Sequence, residues 1–405
     1  MHNAARPAKL RRSLKTFPVT LYGLGVTVGA GIYVLVGATV ASAGIYAPFS
    51  FLLAAVVVAF TALAYSELST RYPLSAGEAA YVEHAFGVNW LAVAVGLAVA
   101  TSGIVSASAV AIGASAYIAQ LASVSDIKLT LFVVAAMGLI AIWGISQSVF
   151  VAAIVTGVEI LGLLIVCGWS FFFADPEGAA ISDVLSPNEA GHWYGIGSAT
   201  LLAFFAFIGF EDIANVAEEV EDPIRTMPRA ILWTLVLATV LYLLTTTAVI
   251  HVVPTETLSG STSPLSLVFA GAPERYLDAF SLVAIVATLN GVLIQIIMAS
   301  RVLYGLADRG QLPRFVGGVW TRTQTPVAAI IIVVALIMFF STALPLEQLA
   351  ERTSQVVLLV FFLVNIALIR LKRTQPDTGQ FFRVPPWIPF LGACFSAILF
   401  ITGMA

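Results

Sequence analysis

Charged residues and cysteines are scarce in this sequence. Only 10% of its 405 residues are Asp, Glu, Lys or Arg, whereas a soluble domain carries about 25%, so the chain has too few charges to cover a water-facing surface. Its two cysteines, Cys167 and Cys394, lie in apolar runs, which argues against a disulfide framework or a zinc site. The four histidines lack metal-ligand spacing, and the net charge of −3 lacks the signature of nucleic-acid binding. We therefore expect no metal, no cofactor and no nucleic-acid partner.

Long apolar runs take the place of the missing charges. The chain is 60% hydrophobic with a mean hydropathy of +0.98, and residues 39–65, 90–122 and 129–146 hold no charged residue. A helix that spans a bilayer needs about 20 such residues, and helices are favoured because lipid offers unpaired backbone groups no partner. The sequence therefore predicts an all-α integral membrane protein embedded in a lipid bilayer.

Eleven stretches are apolar enough to be predicted as membrane-spanning helices. They lie at residues 17–42, 47–66, 89–121, 129–146, 149–173, 195–218, 229–252, 276–304, 326–343, 347–370 and 385–404. Lys and Arg residues concentrate on the cytoplasmic side of membrane proteins. Of the 19 in this chain, 16 fall on the side of the N-terminus, and only Lys128, Arg275 and Arg352 fall on the other side. We therefore expect a multi-pass protein of the plasma membrane with a cytoplasmic N-terminus.

Two of the predicted spans contain features that interrupt a helix. Span one holds Gly29 and Gly31 at its middle, where glycine costs a helix about 1 kcal/mol relative to alanine. Span six holds Gly209 followed by the carboxylate of Glu211 inside an apolar stretch. Because spans one and six each open a set of five helices, paired interruptions indicate a transporter site at the middle of the membrane. Gly25 and Gly29 also form a G-x-x-x-G pair, for which close helix packing is the alternative interpretation.

The helix ends at these interruptions suit the two ends of an amino acid. A half-helix that begins near Ile32 offers unpaired N–H groups and a positive dipole end to a carboxylate. Freed carbonyl groups at 207–209 can accept hydrogen bonds from an ammonium group. Thr27, Asn290 and Gln295 are further candidates for the site, although polar residues in spans often serve only to join helices.

Four motifs resemble those of the amino acid–polyamine–organocation permeases, in particular the bacterial amino acid permease type. They are GAGIYVLVG at 29–37, YSELSTRYP at 65–73, FIGFEDIANVAEE at 207–219, and ASRVLY with GQLPR within 299–314. The resemblance implies a LeuT-type fold, in which two inverted repeats of five helices (5+5) contain discontinuous helices one and six. Relatives usually have twelve helices, whereas eleven are predicted here.

The resemblance also divides the chain and assigns residues to the substrate. It implies a cytoplasmic tail at 1–16, a first repeat at 17–173, an extracellular loop at 174–194, a second repeat at 195–371, and a loop with the eleventh helix at 372–405. The residues it assigns are Gly29, Ala30 and Gly31 for the substrate carboxylate, Phe207, Ile208 and Gly209 for the amine, and Phe205 as an occluding aromatic.

Two carboxyl groups in the spans are candidates for proton coupling. Glu159 lies midway along the fifth span, where an ionisable group is costly and by default marks an ion or proton pathway. A neutral, hydrogen-bonded structural role for Glu159 is the alternative. Glu211, just after the second interruption, is predicted either to gate the substrate path by protonation or to face a cationic substrate.

The sequence favours a secondary active transporter over an enzyme or a channel. It lacks His, Asp and Ser at catalytic spacing, and it lacks the repeated filter loops of a channel. We expect alternating-access transport of amino acids, with neutral or small ones taken up together with protons, or with sodium as the alternative coupling ion. An exchanger of cationic amino acids or polyamines and a non-transporting amino-acid sensor are the other interpretations.

Overall fold

The chain is helical throughout the part that the structure describes. The computed structural model describes residues 14–29, 31–73, 77–122, 127–143, 149–187, 189–320, 322–323, 325–375 and 379–403. Within these ranges the only strand-like pairings are two isolated bridges, which join Leu14 to Val220 and Trp320 to Thr325. Ala30, one of the residues predicted to bind the carboxylate, lies outside the described residues.

The described residues form fifteen α-helices and three 3₁₀ helices. The α-helices are α1 Thr16–Val28, α2 Gly31–Ala43, α3 Ala47–Arg71, α4 Gly77–Phe86, α5 Asn89–Ala122, α6 Ile127–Trp143, α7 Val149–Phe172, α8 Ile181–Val184, α9 Ala190–Phe205, α10 Pro223–Val252, α11 Thr255–Ser259, α12 Glu274–Asp308, α13 Val327–Ala343, α14 Leu346–Thr374 and α15 Trp387–Thr402. The 3₁₀ helices are Gly44–Tyr46, Phe210–Glu219 and Pro264–Phe269.

In the part of the chain that the structure describes, seven helical segments are long and apolar enough to cross a membrane. They are Gly31–Arg71, Asn89–Leu121, Ile154–Phe172, Ala190–Ala214, Pro223–Val252, Glu274–Asp308 and Leu346–Thr374. Four shorter apolar helices accompany them, namely Thr16–Val28, Ile127–Trp143, Val327–Ala343 and Trp387–Thr402. Every predicted span falls on one or more of these helices, and the prediction of an all-α membrane protein is confirmed.

The helix bounds differ from the predicted ones where capping and packing act. α10 begins at Pro223 rather than at 229, because the Asp222 side chain accepts a hydrogen bond from the N–H of Arg225 at 3.4 Å and proline suits the first helical position. The predicted spans leave residues 67–88 between the second and third spans, but the residues from Gly77 onwards form the helix α4. Tyr81 of α4 is fully buried, so tertiary packing supports a helix that is too short to stand alone.

The interrupted spans lie at the centre of the packing. α1 packs against α7 and α10, α2 packs against α9 and α11, and α5 lies along α12 and α14. Val28 and Ile32, on either side of the first interruption, have no exposed surface, and Phe207 at the second has almost none. The fold thus places both interruptions inside the bundle, where their free backbone groups are away from lipid.

A buried ion pair fastens α3 to α14 away from the interruptions. Lys372 Nζ lies 2.6 Å from Glu67 Oε2, and the two side chains are only 15% and 1% exposed. Lys372 also donates to the carbonyl of Val384 at 2.8 Å, and the N–H of Val384 donates to the same Glu67 oxygen at 2.8 Å. The ion pair therefore holds the segment before α15 against the ends of α3 and α14.

We predict that Lys372→Met destabilises the protein strongly, because it leaves the Glu67 carboxylate buried without its cation. Loss of one partner of a buried pair costs about 3–5 kcal/mol, which should appear as a clearly lower unfolding temperature in detergent. Arg225→Met is the matched control, since the Arg225–Asp222 pair is largely exposed and such pairs contribute about 0–1 kcal/mol. Equal unfolding temperatures for the two variants would contradict the role assigned to the buried pair.

Candidate functional site

The first interruption separates α1, which ends at Val28, from α2, which begins at Gly31. Gly31 lies directly against the second interruption, because a Cβ atom added there would overlap the backbone of Ala206. No side chain larger than hydrogen fits at this position. The glycine is therefore needed for the close approach of the two spans, in addition to weakening the helix.

The second interruption is a turn at 206–209 between α9 and the 3₁₀ helix Phe210–Glu219. Gly209 has a φ of +119°, which side chains of L-residues rarely adopt. A Cβ atom at Gly209 would lie 2.9 Å from the carbonyl oxygen of Val26, so this glycine also sits against the other interrupted span. The helices are thus interrupted at the glycine positions read from the sequence, and two of these glycines, Gly31 and Gly209, are also the points of contact between the spans.

Tyr242 of α10 joins the two interruptions. Its buried hydroxyl lies 2.8 Å from the carbonyl oxygen of Thr27 and 2.6 Å from that of Ala206, and it donates its one proton between them. The ring packs on Phe207, with centroids 4.9 Å apart. One side chain therefore satisfies a carbonyl group from each interrupted span and fixes their relative position.

A small cavity, the central cavity, opens between the two interruptions. Its lining residues are Gly25, Val26, Thr27, Gly31, Ser106, Val110, Phe205, Ile208, Gly291, Ile294 and Gln295. Four of the predicted substrate residues are among them, namely Thr27, Gly31, Phe205 and Ile208. The cavity of about 20 Å³ has room for a water molecule and not for an amino acid, so the spans are closed around it.

Two polar atoms at the central cavity are buried without a hydrogen-bond partner. They are the hydroxyl oxygen of Thr27 and the amide oxygen Oε1 of Gln295. An unsatisfied buried acceptor costs about 1–3 kcal/mol, and such groups are uncommon in folded proteins. Both atoms are therefore without a partner from the protein at this cavity.

The remaining predicted substrate residues contribute in other ways. The side chain of Phe207 packs on Tyr242 and is not part of the lining, so only its carbonyl group can face the site. Gly209 donates its N–H to Glu211 Oε2 at 2.8 Å, and Gly29 lies beside Glu159. Glu211 itself lines a neighbouring cavity.

This second cavity, the acidic cavity, contains three carboxyl groups. Its lining residues are Glu78, Val99, Ser102, Gly103, Ser106, Ile208, Glu211, Asp212, Gln295, Met298, Val357, Val360 and Phe361, none of which is Lys or Arg. Glu78 Oε1 accepts a hydrogen bond from the Tyr65 hydroxyl at 3.0 Å. Burial holds the pKa of Glu78 above its ordinary value, although hydrogen bonds from the backbone and Tyr65 lower it. The acidic cavity shares Ser106, Ile208 and Gln295 with the central cavity, so the two are neighbours.

Glu159 of α7 lies against the first interruption. Its Oε1 accepts a hydrogen bond from Asn290 Nδ2 at 3.1 Å, whereas Oε2 is buried without a partner. Its backbone carbonyl accepts a hydrogen bond from the Tyr33 hydroxyl of α2 at 2.6 Å. A fully buried carboxyl group thus lies beside Gly29 at the first interruption, and the backbone of the same residue is bonded to α2.

Sequence reasoning did not single out Glu78, Ser102 or Ser106. Glu78 falls between the second and third predicted spans, and nothing local indicates that α4 brings it to the same cavity as Glu211. The serines belong to a run of small residues on α5 that reads as ordinary helix packing. Asn290 and Gln295 were candidates, and the structure brings them to different places: Asn290 to Glu159 and Gln295 to the two cavities.

The fold and its cavities define a multi-pass helical membrane protein whose buried polar site lies where two interrupted spans meet. Its sequence matches the amino acid permease family over residues 14–405. The chain belongs to this family, within the amino acid–polyamine–organocation superfamily, as its motifs indicated. The family consists of membrane permeases and not of enzymes.

Similar proteins include permeases with different named substrates. The chain is 27% identical to the branched-chain amino acid permease BcaP of Bacillus subtilis, over 97% of this chain and 88% of that protein. It is 32% identical to the vacuolar cationic amino acid transporter 2 of Arabidopsis thaliana, over 91% of this chain and 61% of that protein. It is also 26% identical to the methylthioribose transporter of Bacillus subtilis, over 96% and 88% of the two chains.

We predict that Gly209→Ala reduces substrate binding at least tenfold. The added Cβ atom meets the Val26 carbonyl group, and the φ angle costs about 1–3 kcal/mol for a residue other than glycine, so the two interruptions must separate. The measurement is equilibrium binding of radiolabelled amino acids to purified protein. Gly197→Ala on α9 is the control, since its Cβ atom meets nothing within 4 Å. Equal binding by both variants would show that the contact between the interruptions is not needed.

Proposed function

We propose that this protein is a secondary active transporter that carries amino acids across the plasma membrane by alternating access. The observation that carries the proposal is the central cavity, where both interrupted spans meet and where Thr27 Oγ1 and Gln295 Oε1 are buried without partners. In the proposed arrangement the N-terminus is cytoplasmic, and the interrupted spans open two inverted repeats of five helices in a LeuT-type (5+5) fold.

The substrate carboxylate is proposed to bind at the start of α2. Gly31 lines the central cavity, and the N–H groups of the first helical turn have no acceptor within the helix. Those groups and the positive end of the helix dipole favour an anion. Gly29 and Ala30, which precede this turn, are proposed to shape the same carboxylate site.

The substrate amine is proposed to bind at the turn between α9 and the 3₁₀ helix. The carbonyl groups of Phe207 and Ile208 accept no hydrogen bond from any described residue, whereas that of Gly209 accepts one from the N–H of Asp212 at 3.1 Å. The Thr27 hydroxyl is a further acceptor. Phe205 lines the cavity beside these groups and closes over the bound substrate.

Proton coupling is proposed to run through Glu159. The carboxyl group lies beside Gly29 at the first interruption, and its Oε2 is buried without a partner, so a change in its charge alters the packing of the interrupted helix directly. Because an uncompensated charge inside the membrane is costly, the closed arrangement is proposed to favour the protonated, neutral form of Glu159. Glu211 accepts a hydrogen bond from the N–H of Gly209. Its protonation is proposed to be coupled to the packing of the second interruption in the same manner.

The proposal is tested by uptake of labelled neutral amino acids into proteoliposomes. Uptake should rise with an inward proton gradient in the absence of sodium. Stimulation by sodium alone would identify sodium as the coupling ion. Saturable binding without any uptake or exchange would contradict transport and support an amino-acid sensor.

We predict that Glu159→Gln abolishes the stimulation by the proton gradient while exchange between internal and external amino acids continues. The amide keeps the size and the hydrogen-bonding capacity of the side chain but cannot release a proton. Gly157→Ala, two residues away with open space around its Cβ atom, is the matched control and should retain the stimulation. If Glu159→Gln retains full gradient-driven uptake, Glu159 is not the coupling residue.

The acidic cavity favours one second candidate function, exchange of cationic amino acids or polyamines. Glu78, Glu211 and Asp212 line this cavity together, without a Lys or Arg side chain among its lining residues. A basic side chain or an amine that enters from the central cavity would meet these carboxyl groups. One similar protein is named a cationic amino acid transporter, which agrees with this candidate.

The two candidates are separated by Glu78→Gln. If the acidic cavity binds a cation, this variant should raise the KM for lysine or putrescine about tenfold, since a charged hydrogen bond contributes about 1.5–3 kcal/mol, and leave leucine unaffected. Glu83→Gln on the same helix is the control, because Glu83 is exposed and pairs with Arg309 at 3.8 Å. No difference between the variants in competition uptake assays would leave neutral amino acids as the substrates.

A further inference from the structure

Gln295 of α12 stands at the boundary between the two cavities. It is 9% exposed and belongs to the lining of both the central and the acidic cavity. Ser106 and Ile208 are the other residues that line both. Anything that passes from the central cavity into the acidic one therefore passes the Gln295 side chain.

The amide of Gln295 is held in this place with its oxygen unsatisfied. Oε1 is buried and has no hydrogen-bond partner. A Cβ atom at Gly103 of α5 would lie 2.9 Å from Oε1 and 2.8 Å from the terminal methyl group of Met298. Because residue 103 is glycine, the space beside α5 is free for the Gln295 amide. A methionine of similar length would fill this space without burying an unpaired acceptor.

The position of Gln295 relative to the proposed substrate determines which part of the substrate it meets. The carboxylate and the amine are assigned to α2 and to the carbonyl groups of Phe207 and Ile208. The rest of the cavity lining, apart from α1 and Phe205, comes from α5 and α12. A substrate held at both assigned groups would present its side chain to α5 and α12, where Ser106 and Gln295 are the polar side chains of the central cavity's lining.

We propose that Gln295 selects the substrate by accepting a hydrogen bond from its side chain, so that the site favours amino acids with a side-chain hydroxyl or amide over aliphatic ones of the same shape. The inference rests on the proposed function and narrows its substrate class to polar, uncharged amino acids. A site that contains an unpaired acceptor discriminates against a ligand that cannot satisfy it, because the acceptor then stays desolvated without a bond.

Two pairs of substrates of equal shape test the proposal. Asparagine and leucine have nearly the same side-chain shape, as do threonine and valine, and each pair differs in hydrogen-bonding groups. Competition of these four amino acids for the binding of a labelled amino-acid mixture is measured on the wild-type protein and on Gln295→Met. The expected result is a preference for asparagine over leucine and threonine over valine that falls about five- to tenfold in Gln295→Met, the effect of one hydrogen bond.

Two further variants separate recognition from a structural role. Gln295→Asn keeps the amide but withdraws it by one methylene group, and it should weaken asparagine and threonine binding without improving that of leucine and valine. Thr288→Val on the same helix removes a hydroxyl that bonds to its own helix at Ala284, 2.8 Å away, and should leave all four affinities unchanged.

The outcomes distinguish this inference from the proposed function. Equal loss of all four ligands in Gln295→Met, or unchanged ratios, would overturn the selection by Gln295 while amino-acid binding stands. A wild-type preference for leucine and valine would overturn it as well. Binding of none of the four amino acids, with lysine and putrescine also inactive, would overturn the proposed function and this inference with it.

Discussion

The contact between the two interrupted spans is the constraint on which the rest of the structure depends. Gly31 meets Ala206, Gly209 meets Val26, and the Tyr242 hydroxyl lies between carbonyl groups of both spans. An interrupted helix in a membrane exposes backbone groups that lipid cannot satisfy. Placing the two interruptions against each other inside the bundle removes them from lipid and leaves the unpaired groups facing one small cavity.

Among the described residues, the buried carboxyl groups of the bundle lie in three separate places. Glu159 and Asn290 lie beside the first interruption, the carboxyl groups of the acidic cavity lie beyond the second, and the Glu67–Lys372 pair is more distant. The first two places touch the interrupted helices, so a change of charge there alters the packing on which the cavity depends. The backbone of Val384 is hydrogen-bonded to both members of the ion pair, and the pair fastens the segment before α15 to α3 and α14.

The all-helical membrane architecture could be predicted from the sequence because length and hydropathy decide which segments enter a membrane. The interruptions could be predicted from local chemistry too, since glycine in a helix interior is costly unless the backbone needs it, as at Gly31 and Gly209. Helix α4 and the partners of Glu78 could not, because they depend on packing between residues that are distant in sequence. The place of Glu211 in the acidic cavity, on the 3₁₀ helix that follows Gly209, also depends on these distant contacts. The buried, unpaired state of Thr27 and Gln295 likewise follows only from the three-dimensional surroundings.

The most direct test of this account is protection of a cysteine at the central cavity by bound amino acid. In a protein with Cys167 and Cys394 replaced by serine, Thr27→Cys would be treated with a small thiol reagent, with and without saturating substrate. Ser102→Cys, which lies only in the acidic cavity, serves as the comparison for a neutral substrate. The account predicts that substrate slows the modification at position 27 at least tenfold and has a much smaller effect at 102. Equal modification at position 27 with and without substrate, in a protein that still binds it, would contradict a site between the interrupted spans.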